Sequence, residues 1–174
     1  MSTIIVYGSQ YGTTECYARK LSEMTGFSLI NYTNIEDLSP YDTIIHFGGL
    51  YAGGVKGLKN TVKALPENAR FFIVTVGLAD VNDKENTDNI RQSIRRQVSE
   101  KIFNSATIFH LRGGIDYQKL NFKHKTMMTL LYNKAKNLPE EQKTAEVRAM
   151  IETFNKKISF IDYSYLNQIA DAIQ

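Results

Sequence analysis

Residues 8–14, with the sequence GSQYGTT, have the composition of an anion-binding loop. They follow an apolar, β-branched run at residues 3–7 and precede a helical pattern. The serine and threonine hydroxyls can donate hydrogen bonds, and Gly12 lets the backbone approach a ligand closely. The amides and partial positive charge of a helix N-terminus favour an anion at the same place. The loop predicts a phosphate monoester site without lysine or arginine, although a Ser/Thr-rich helix cap explains the composition equally well.

Other phosphate-handling loops do not fit this segment. Thr13 follows Gly12 where the nucleoside triphosphate loop requires lysine, and the dinucleotide fingerprint Gly-x-Gly-x-x-Gly is also missing. Phosphoacceptor response regulators need an acidic pair after the first strand, and residues 6–9 contain none. Low-molecular-weight phosphatases need an arginine six residues after their cysteine, but Ser22 stands at that distance from Cys16.

Two further glycine-bearing segments follow β-type runs. Residues 48–54 read GGLYAGG after the run at 42–48, and residues 77–80 read GLAD after the run at 71–76. Ligands of open parallel sheets bind at the carboxyl ends of the strands, near the point where strand order reverses. Glycines let the main chain approach the edge of a flat ring, and Tyr51 can pack on its face. The three segments together favour a ligand with a phosphate tail and a planar heteroaromatic ring.

Short β-type runs alternate with helical patterns through residues 1–112. Ile90, Ile94 and Val98, for example, recur at the spacing of one helix face. The alternation predicts an α/β fold, a doubly wound five-stranded parallel sheet with helices on both faces. The predicted strands are residues 3–7, 27–31, 42–48, 71–76 and 106–111.

After the fifth predicted strand, residues 113–174 remain, which is more chain than the one helix needed to complete the fold. We expect a single domain over residues 1–174, with a helical insertion over approximately 113–161 just before the last helix. The first insertion helix should pack through one apolar stripe, Met127, Leu130, Leu131 and Ala135. The second insertion helix should begin near Pro139. The apolar residues on one face of it should be Val147, Met150, Ile151, Phe154 and Ile158. The last helix should begin after Asp162, and its core-facing residues should be Leu166, Ile169 and Ile173.

The three glycine-bearing segments resemble those of the FMN-binding flavodoxin-like family, and the resemblance covers the whole chain. Residues 9–14 are similar to the family's phosphate motif, Thr/Ser-x-Thr-Gly-x-Thr, with Tyr11 in place of the middle threonine. The resemblance implies FMN as cofactor, with Tyr11 near the flavin. The residues implied to hold the phosphate are Ser9, Gln10, Gly12, Thr13 and Thr14. Those implied to line the isoalloxazine are Gly49, Leu50, Tyr51, Ala52, Gly53, Gly54, Val76, Gly77 and Leu78. Asp116, shortly after the fifth predicted strand, is close enough in sequence to border the flavin.

The insertion resembles the branch of this family that contains the menaquinone-dependent protoporphyrinogen dehydrogenases. In that branch a basic, aromatic-containing segment follows the fifth strand, and the last helix opens with an aspartate–aromatic pair like Asp162 and Tyr163. The family resemblance implies an FMN-binding protein that carries electrons between redox partners. One alternative is an FMN-dependent oxidoreductase acting on a quinone or a porphyrinogen, and another is a cofactor-free interaction domain.

Positive charge is concentrated on the predicted insertion. The whole chain has 21 Lys and Arg against 18 Asp and Glu, a net charge of +3 that does not indicate a nucleic-acid partner. Residues 113–138 contain five lysines and one aspartate. They form either a solvated helix face or a surface for an anionic partner. Such a partner is an acidic redox protein or an acidic membrane surface, reached through Lys119, Lys123 and Lys125.

The remaining candidate residues favour structural roles. Cys16 is the single cysteine, so an intramolecular disulfide is impossible and a reducing, cytoplasmic location is expected. The first residues lack the pattern of a secretory signal, and no window is long and apolar enough to span a bilayer. We expect Cys16 to be buried and His46 and His110 to be packed within strands. No pair of His, Cys or carboxylate residues has metal-ligand spacing, so no metal site is expected.

Overall fold

Strands and helices alternate along most of the chain, of which the computed structural model describes residues 2–174. The strands are β1 (Thr3–Gly8), β2 (Ser28–Asn31), β3 (Thr43–Tyr51), β4 (Gly54–Val55), β5 (Arg70–Gly77), β6 (Thr107–Arg112), β7 (Gly114–Asp116) and β8 (Lys157–Ser159). The α-helices are α1 (Thr13–Thr25), α2 (Leu58–Lys63), α3 (Lys84–Arg95), α4 (Glu100–Ser105), α5 (Phe122–Ala135), α6 (Ala145–Thr153) and α7 (Tyr165–Ile173).

In residues 2–174, five strands form a parallel sheet in the order β2-β1-β3-β5-β6, which confirms the predicted doubly wound architecture. Every residue of β1 is buried, because helices cover both faces of the sheet and both alternations of the strand must be apolar. Strand order reverses at β1 and β3, whose carboxyl ends pair Gly8 with Gly48. This is the position at which a ligand of such a sheet is expected.

Two hydrophobic cores lie on opposite faces of the sheet. Tyr17 of α1 and Leu166 of α7 belong to one core. Leu58 of α2, Ile94 of α3 and Phe103 of α4 belong to the other. Helices therefore cover both faces, as predicted. The residues that the last helix was predicted to turn inward are all buried, namely Leu166, Ile169 and Ile173.

The segment predicted as a helical insertion before α7 contains strands as well as helices. A 3₁₀ turn, Glu140–Gln142, follows Pro139, and α6 begins only at Ala145. Because α6 ends at Thr153, the prediction that Phe154 and Ile158 continue its face is wrong. Asn155 has a φ of 56°, in the left-handed region that asparagine tolerates, and the chain then enters β8. β8 pairs antiparallel with β7 and closes the insertion at its base.

Three further sequence predictions about packing and helix length are wrong. Of the predicted stripe Ala135 is buried, but Met127, Leu130 and Leu131 are 41%, 66% and 44% exposed, because α5 overhangs a cavity instead of packing flat. Cys16 is exposed, since α1 turns Tyr17 and Ala18 toward the core. The helix containing Ile90 and Ile94 ends at Arg95, so Val98 lies beyond it. None of the helices in residues 2–174 is long and apolar enough to cross a membrane.

Candidate functional site

The loop between β1 and α1 places a left-handed glycine at the start of the helix. Gly12 is the N-cap of α1, with a φ of 94°, a conformation that favours glycine. Its N–H donates to Ser9 Oγ over 3.0 Å. Because the N-cap residue has no side chain, it cannot itself cap the first amides of α1. These amides can therefore bind an anion, which favours the phosphate-site interpretation over the helix-cap interpretation.

The second glycine-bearing segment forms a tight hairpin between β3 and β4. Tyr51 pairs with Gly54, and the two residues between them have positive φ values, 49° for Ala52 and 76° for Gly53. This is the pattern of a two-residue type I′ turn. Ala52 is a non-glycine residue in the left-handed region, which costs free energy. The turn fixes the place where the Tyr51 side chain, 36% exposed, leaves the sheet.

Close backbone approaches join the three segments. A Cβ at Gly49 would lie 2.9 Å from Thr14 Oγ1, so only glycine allows β3 and α1 to meet this closely. A Cβ at Gly77 would lie 2.6 Å from Leu50 Cδ1, which brings the third segment against the second. The Gly77 carbonyl also accepts a hydrogen bond from the Gly113 N–H over 2.7 Å. The carboxyl ends of β1, β3 and β5 therefore form one continuous wall.

His46 is a packed residue, as predicted, and it holds the residue that follows β4. Its fully buried imidazole donates from Nε2 to the Lys56 carbonyl oxygen over 3.0 Å. Because a carbonyl can only accept, the proton lies on Nε2, and Nδ1 accepts from the Thr61 hydroxyl over 2.8 Å. Burial lowers the pKa of His46 from 6.5 to about 4, so the imidazole is neutral at pH 7.

Residues from all three segments line one cavity of about 610 Å³. The predicted residues among them are Ser9, Gln10, Tyr11, Thr13, Thr14, Gly49, Leu50, Tyr51, Ala52, Val76, Gly77 and Leu78. Gly12, Gly53, Gly54 and Asp116 are not among the lining residues. Gly53 and Gly54 border a smaller cavity of about 260 Å³ that shares Leu50 and Tyr51 with the first. Asp116 lies in β7, where it accepts the Gln118 N–H over 3.0 Å and stands 3.8 Å from Lys157 Nζ.

A histidine of α5, which sequence reasoning missed, bridges the first two segments. The Nδ1 atom of His124 contacts the Tyr11 hydroxyl, and its Nε2 atom lies 2.5 Å from the Tyr51 hydroxyl. The imidazole meets both tyrosine rings edge to face, with centroid separations of 5.6 and 5.5 Å. Asn121 holds the start of α5 by accepting the His124 N–H over 2.9 Å. In the sequence, His124 lies among the lysines of residues 113–138 with no motif around it, so only its position in this basic segment could have pointed to it.

The part of the cavity beneath the insertion is mainly apolar. Its apolar lining includes Met127, Met128 and Leu131 of α5 and Val147 and Met150 of α6. The charged side chains of Lys134 and Glu146 also line it. Thioether and aliphatic side chains suit an apolar group and offer little to a phosphate or a sugar. We call this part of the cavity, lined by the apolar residues of α5 and α6 just named, the apolar annex. It is chemically distinct from the loop at residues 8–14.

The model of the flavodoxin domain family matches residues 4–142 of the chain. The chain belongs to this family. The matched region of this flavodoxin domain runs from β1 through α5 and contains all three glycine-bearing segments. No curated protein matches the sequence.

Several solved structures are similar to this flavodoxin domain at low sequence identity. A flavoprotein in complex with FMN from Lactobacillus acidophilus NCFM is 11% identical, with a TM-score of 0.46 over 64% of this chain and 91% of that chain. A putative flavoprotein from Bacteroides eggerthii DSM 20697 is 12% identical, with a TM-score of 0.45 over 64% and 86%. A cysteine-to-serine mutant of flavodoxin from Pseudomonas aeruginosa is 17% identical, with a TM-score of 0.43 over 64% and 84%.

Proposed function

We propose that this chain binds FMN in the 610 Å³ cavity and carries electrons between redox partners. One observation carries the proposal: the loop at residues 8–14, with open helix amides behind Gly12, lines the same cavity as two tyrosine rings. A phosphate suits the loop, and a planar ring suits the space beside Tyr11 and Tyr51. Membership of the flavodoxin domain family supports the same ligand.

Each part of the site has a separate role in holding FMN. Ser9 Oγ already accepts the Gly12 N–H, so its own O–H is left to donate to the phosphate. Thr14, 4% exposed, offers a second hydroxyl beside the first amides of α1. The glycine contacts at Gly49 and Gly77 bring backbone to the cavity wall, where it can hydrogen-bond to the ring edge. When bound, FMN supplies the one- or two-electron chemistry, and these residues bind it and orient it.

An absorbance spectrum with added FMN tests this function. We expect a yellow protein whose flavin absorption persists through dialysis. Thr14→Val keeps the side-chain shape but removes the hydroxyl, so it should weaken FMN binding. Thr129→Val on the exposed face of α5 is the matched control and should leave binding unchanged. A colourless chain that does not bind added FMN would contradict the proposal and favour a cofactor-free interaction domain.

A second candidate function is oxidation or reduction of a quinone or a porphyrinogen by the bound flavin. The apolar annex favours it, because Met127, Met128 and Leu131 provide a wall for an apolar substrate in the cavity that Tyr51 also lines.

Turnover experiments separate the two candidates. For an enzyme, Leu131→Gln should raise the KM for a quinone severalfold. Leu130→Gln, one residue away and 66% exposed, should leave the KM unchanged. Stoichiometric reduction of the protein without turnover of either substrate class favours the carrier.

A further inference from the structure

The phosphate-type loop has no positive charge of its own, but Lys56, the residue that follows β4, reaches it. Residues 8–14 contain neither lysine nor arginine. The Lys56 ammonium nevertheless donates a hydrogen bond to Gln10 Oε1, across 46 residues of sequence. It also lies 5.6 Å from the ring centroid of Tyr51. Lys56 thus stands beside both the phosphate-type loop and the tyrosine of the second segment.

The backbone of Lys56 is fixed against the ends of two strands. Its N–H donates to the Gly49 carbonyl over 3.0 Å, and its carbonyl accepts from the buried His46 Nε2 over 3.0 Å. A Cβ at Gly8 would lie 2.3 Å from the Lys56 carbonyl oxygen, so β1 also packs directly on this residue. The Lys56 side chain therefore starts from a backbone position that cannot shift away from the loop.

The charge of Lys56 is not neutralised by a neighbouring carboxylate. No carboxylate in residues 2–174 lies within ion-pair distance of its Nζ atom. Glu15, the acidic residue in the first turn of α1, pairs instead with Arg19 over 2.6 Å. The Lys56 residue as a whole is half-buried. The Lys56 ammonium therefore places a positive charge beside the loop, from outside the loop's own sequence.

We propose that Lys56 is a positioning residue for the phosphate of the bound flavin, a role that rests on the function proposed above. A phosphate monoester carries about −1.5 to −2 charges at pH 7, which hydroxyls and amides alone do not neutralise. Lys56, oriented by Gln10, supplies the compensating charge. The alternative explanation is that Lys56 only supports the Tyr51 ring by a cation–π contact, in which case it acts on the flavin ring and not on the phosphate.

Comparing FMN with riboflavin separates these two roles, because riboflavin has the ring but no phosphate. Flavin fluorescence quenching measures both affinities, at low and at high salt. We expect Lys56→Gln to weaken FMN binding about five- to tenfold, to reduce the salt dependence and to leave riboflavin binding unchanged. Lys56→Arg keeps the charge and should retain most of the FMN affinity. Lys59→Gln, an exposed lysine of α2, is the matched control and should change neither affinity.

Each other outcome overturns the proposal. Equal weakening of FMN and riboflavin by Lys56→Gln assigns the lysine to the ring, and no weakening of either leaves it without a role in binding. In both cases the wild-type chain still binds FMN, so the proposed function stands. A wild-type chain that binds neither flavin overturns the proposed function and this inference together.

Discussion

The hydroxyl of Tyr17 donates a hydrogen bond to the carbonyl oxygen of Arg112 over 2.8 Å. The oxygen of the same hydroxyl accepts the N–H of Asp162 over 2.9 Å. Arg112 ends β6, and Asp162 lies just before α7, so one phenol holds the two ends of the insertion together. The Tyr17 side chain is 1% exposed, and burial raises its pKa above 10.0, so it stays protonated at physiological pH.

Tyr17→Phe should lower the free energy of unfolding by about 1–3 kcal/mol. The substitution keeps the ring but removes two part-buried hydrogen bonds, each of which contributes about 0.5–1.5 kcal/mol. Urea denaturation measures the change. Tyr165→Phe, a 39% exposed tyrosine of α7, is the control and should have little effect. Equal stability of the Tyr17→Phe variant and wild type would contradict the role of the hydroxyl.

Stability should fall as the pH is lowered from about 6.5 to about 4. Burial holds the pKa of His46 at about 4 in the folded chain, against 6.5 in a model peptide. In this window the unfolded chain therefore takes up a proton that the folded chain does not, which costs up to about 3 kcal/mol. His110, whose pKa burial also lowers to about 4, contributes in the same direction.

Urea denaturation at several pH values measures this effect. His46→Gln should reduce the pH dependence while retaining the part due to His110. An identical pH dependence in the variant and in wild type would rule out His46 as a cause.

Ala52→Asn should raise the free energy of unfolding by about 1 kcal/mol. Ala52 has a φ of 49° at the first central position of a type I′ turn, where Asn followed by Gly is preferred. Thermal unfolding measures the gain as a higher Tm. Ala52→Val, which puts a β-branched residue at the same position, should lower the Tm instead. The hairpin description would be wrong if Asn and Val had the same effect.

His124→Ala should increase the rate of FMN association. The imidazole bridges Tyr11 and Tyr51, the two tyrosines proposed to lie beside the flavin ring, so flavin entry has to break both contacts. Stopped-flow fluorescence quenching measures the rate. Phe122→Ala, at an 86% exposed position two residues earlier, is the matched control and should bind FMN at the wild-type rate. Slower association in His124→Ala would show that the histidine assists entry.

Charge reversal at Lys119, Lys123 and Lys125 should weaken binding to vesicles of anionic lipid. These lysines flank the start of α5, where Phe122 is 86% exposed and can insert into the membrane–water interface of the vesicle. Cosedimentation at low and at high salt measures the effect. Charge reversal at Lys59 and Lys63 of α2 is the control and should leave binding unchanged. Unchanged vesicle binding and unchanged electron-transfer rates in the triple variant would exclude an anionic partner at this surface.

The parallel sheet is predictable because its central strands β1, β3 and β5 contain mainly apolar runs that lead into a glycine. The short strands β4, β7 and β8 are not, since two or three residues cannot show a period. Ile158 falls at a helical interval from Phe154, but the left-handed Asn155 ends the helix first. The spacing of apolar residues does not reveal that one residue, here Asn155, adopts the left-handed conformation.

The candidate site also contains residues that the sequence identifies and residues that only the folded structure brings to it. Ser9, Gly12 and Thr14 are recognisable because one loop contains all of them in order. Lys56 and His124 reach that loop from 46 and 113 residues away, and only the packing of the hairpin and of α5 brings them there. Asp116 shows the converse, because closeness in sequence to β6 did not make it line the cavity.

The strand pair β7–β8 has a consequence for how this chain can vary. The Phe160 N–H donates to the Gly113 carbonyl over 2.8 Å, so the insertion leaves the sheet and rejoins it at one point. Residues added to or removed from its far end do not disturb the register of the sheet, and the entropy of closing a longer segment grows only logarithmically. The insertion is therefore an exchangeable unit. Chains with the same three glycine-bearing segments can acquire a different cavity wall by replacing it, with no redesign of the sheet below.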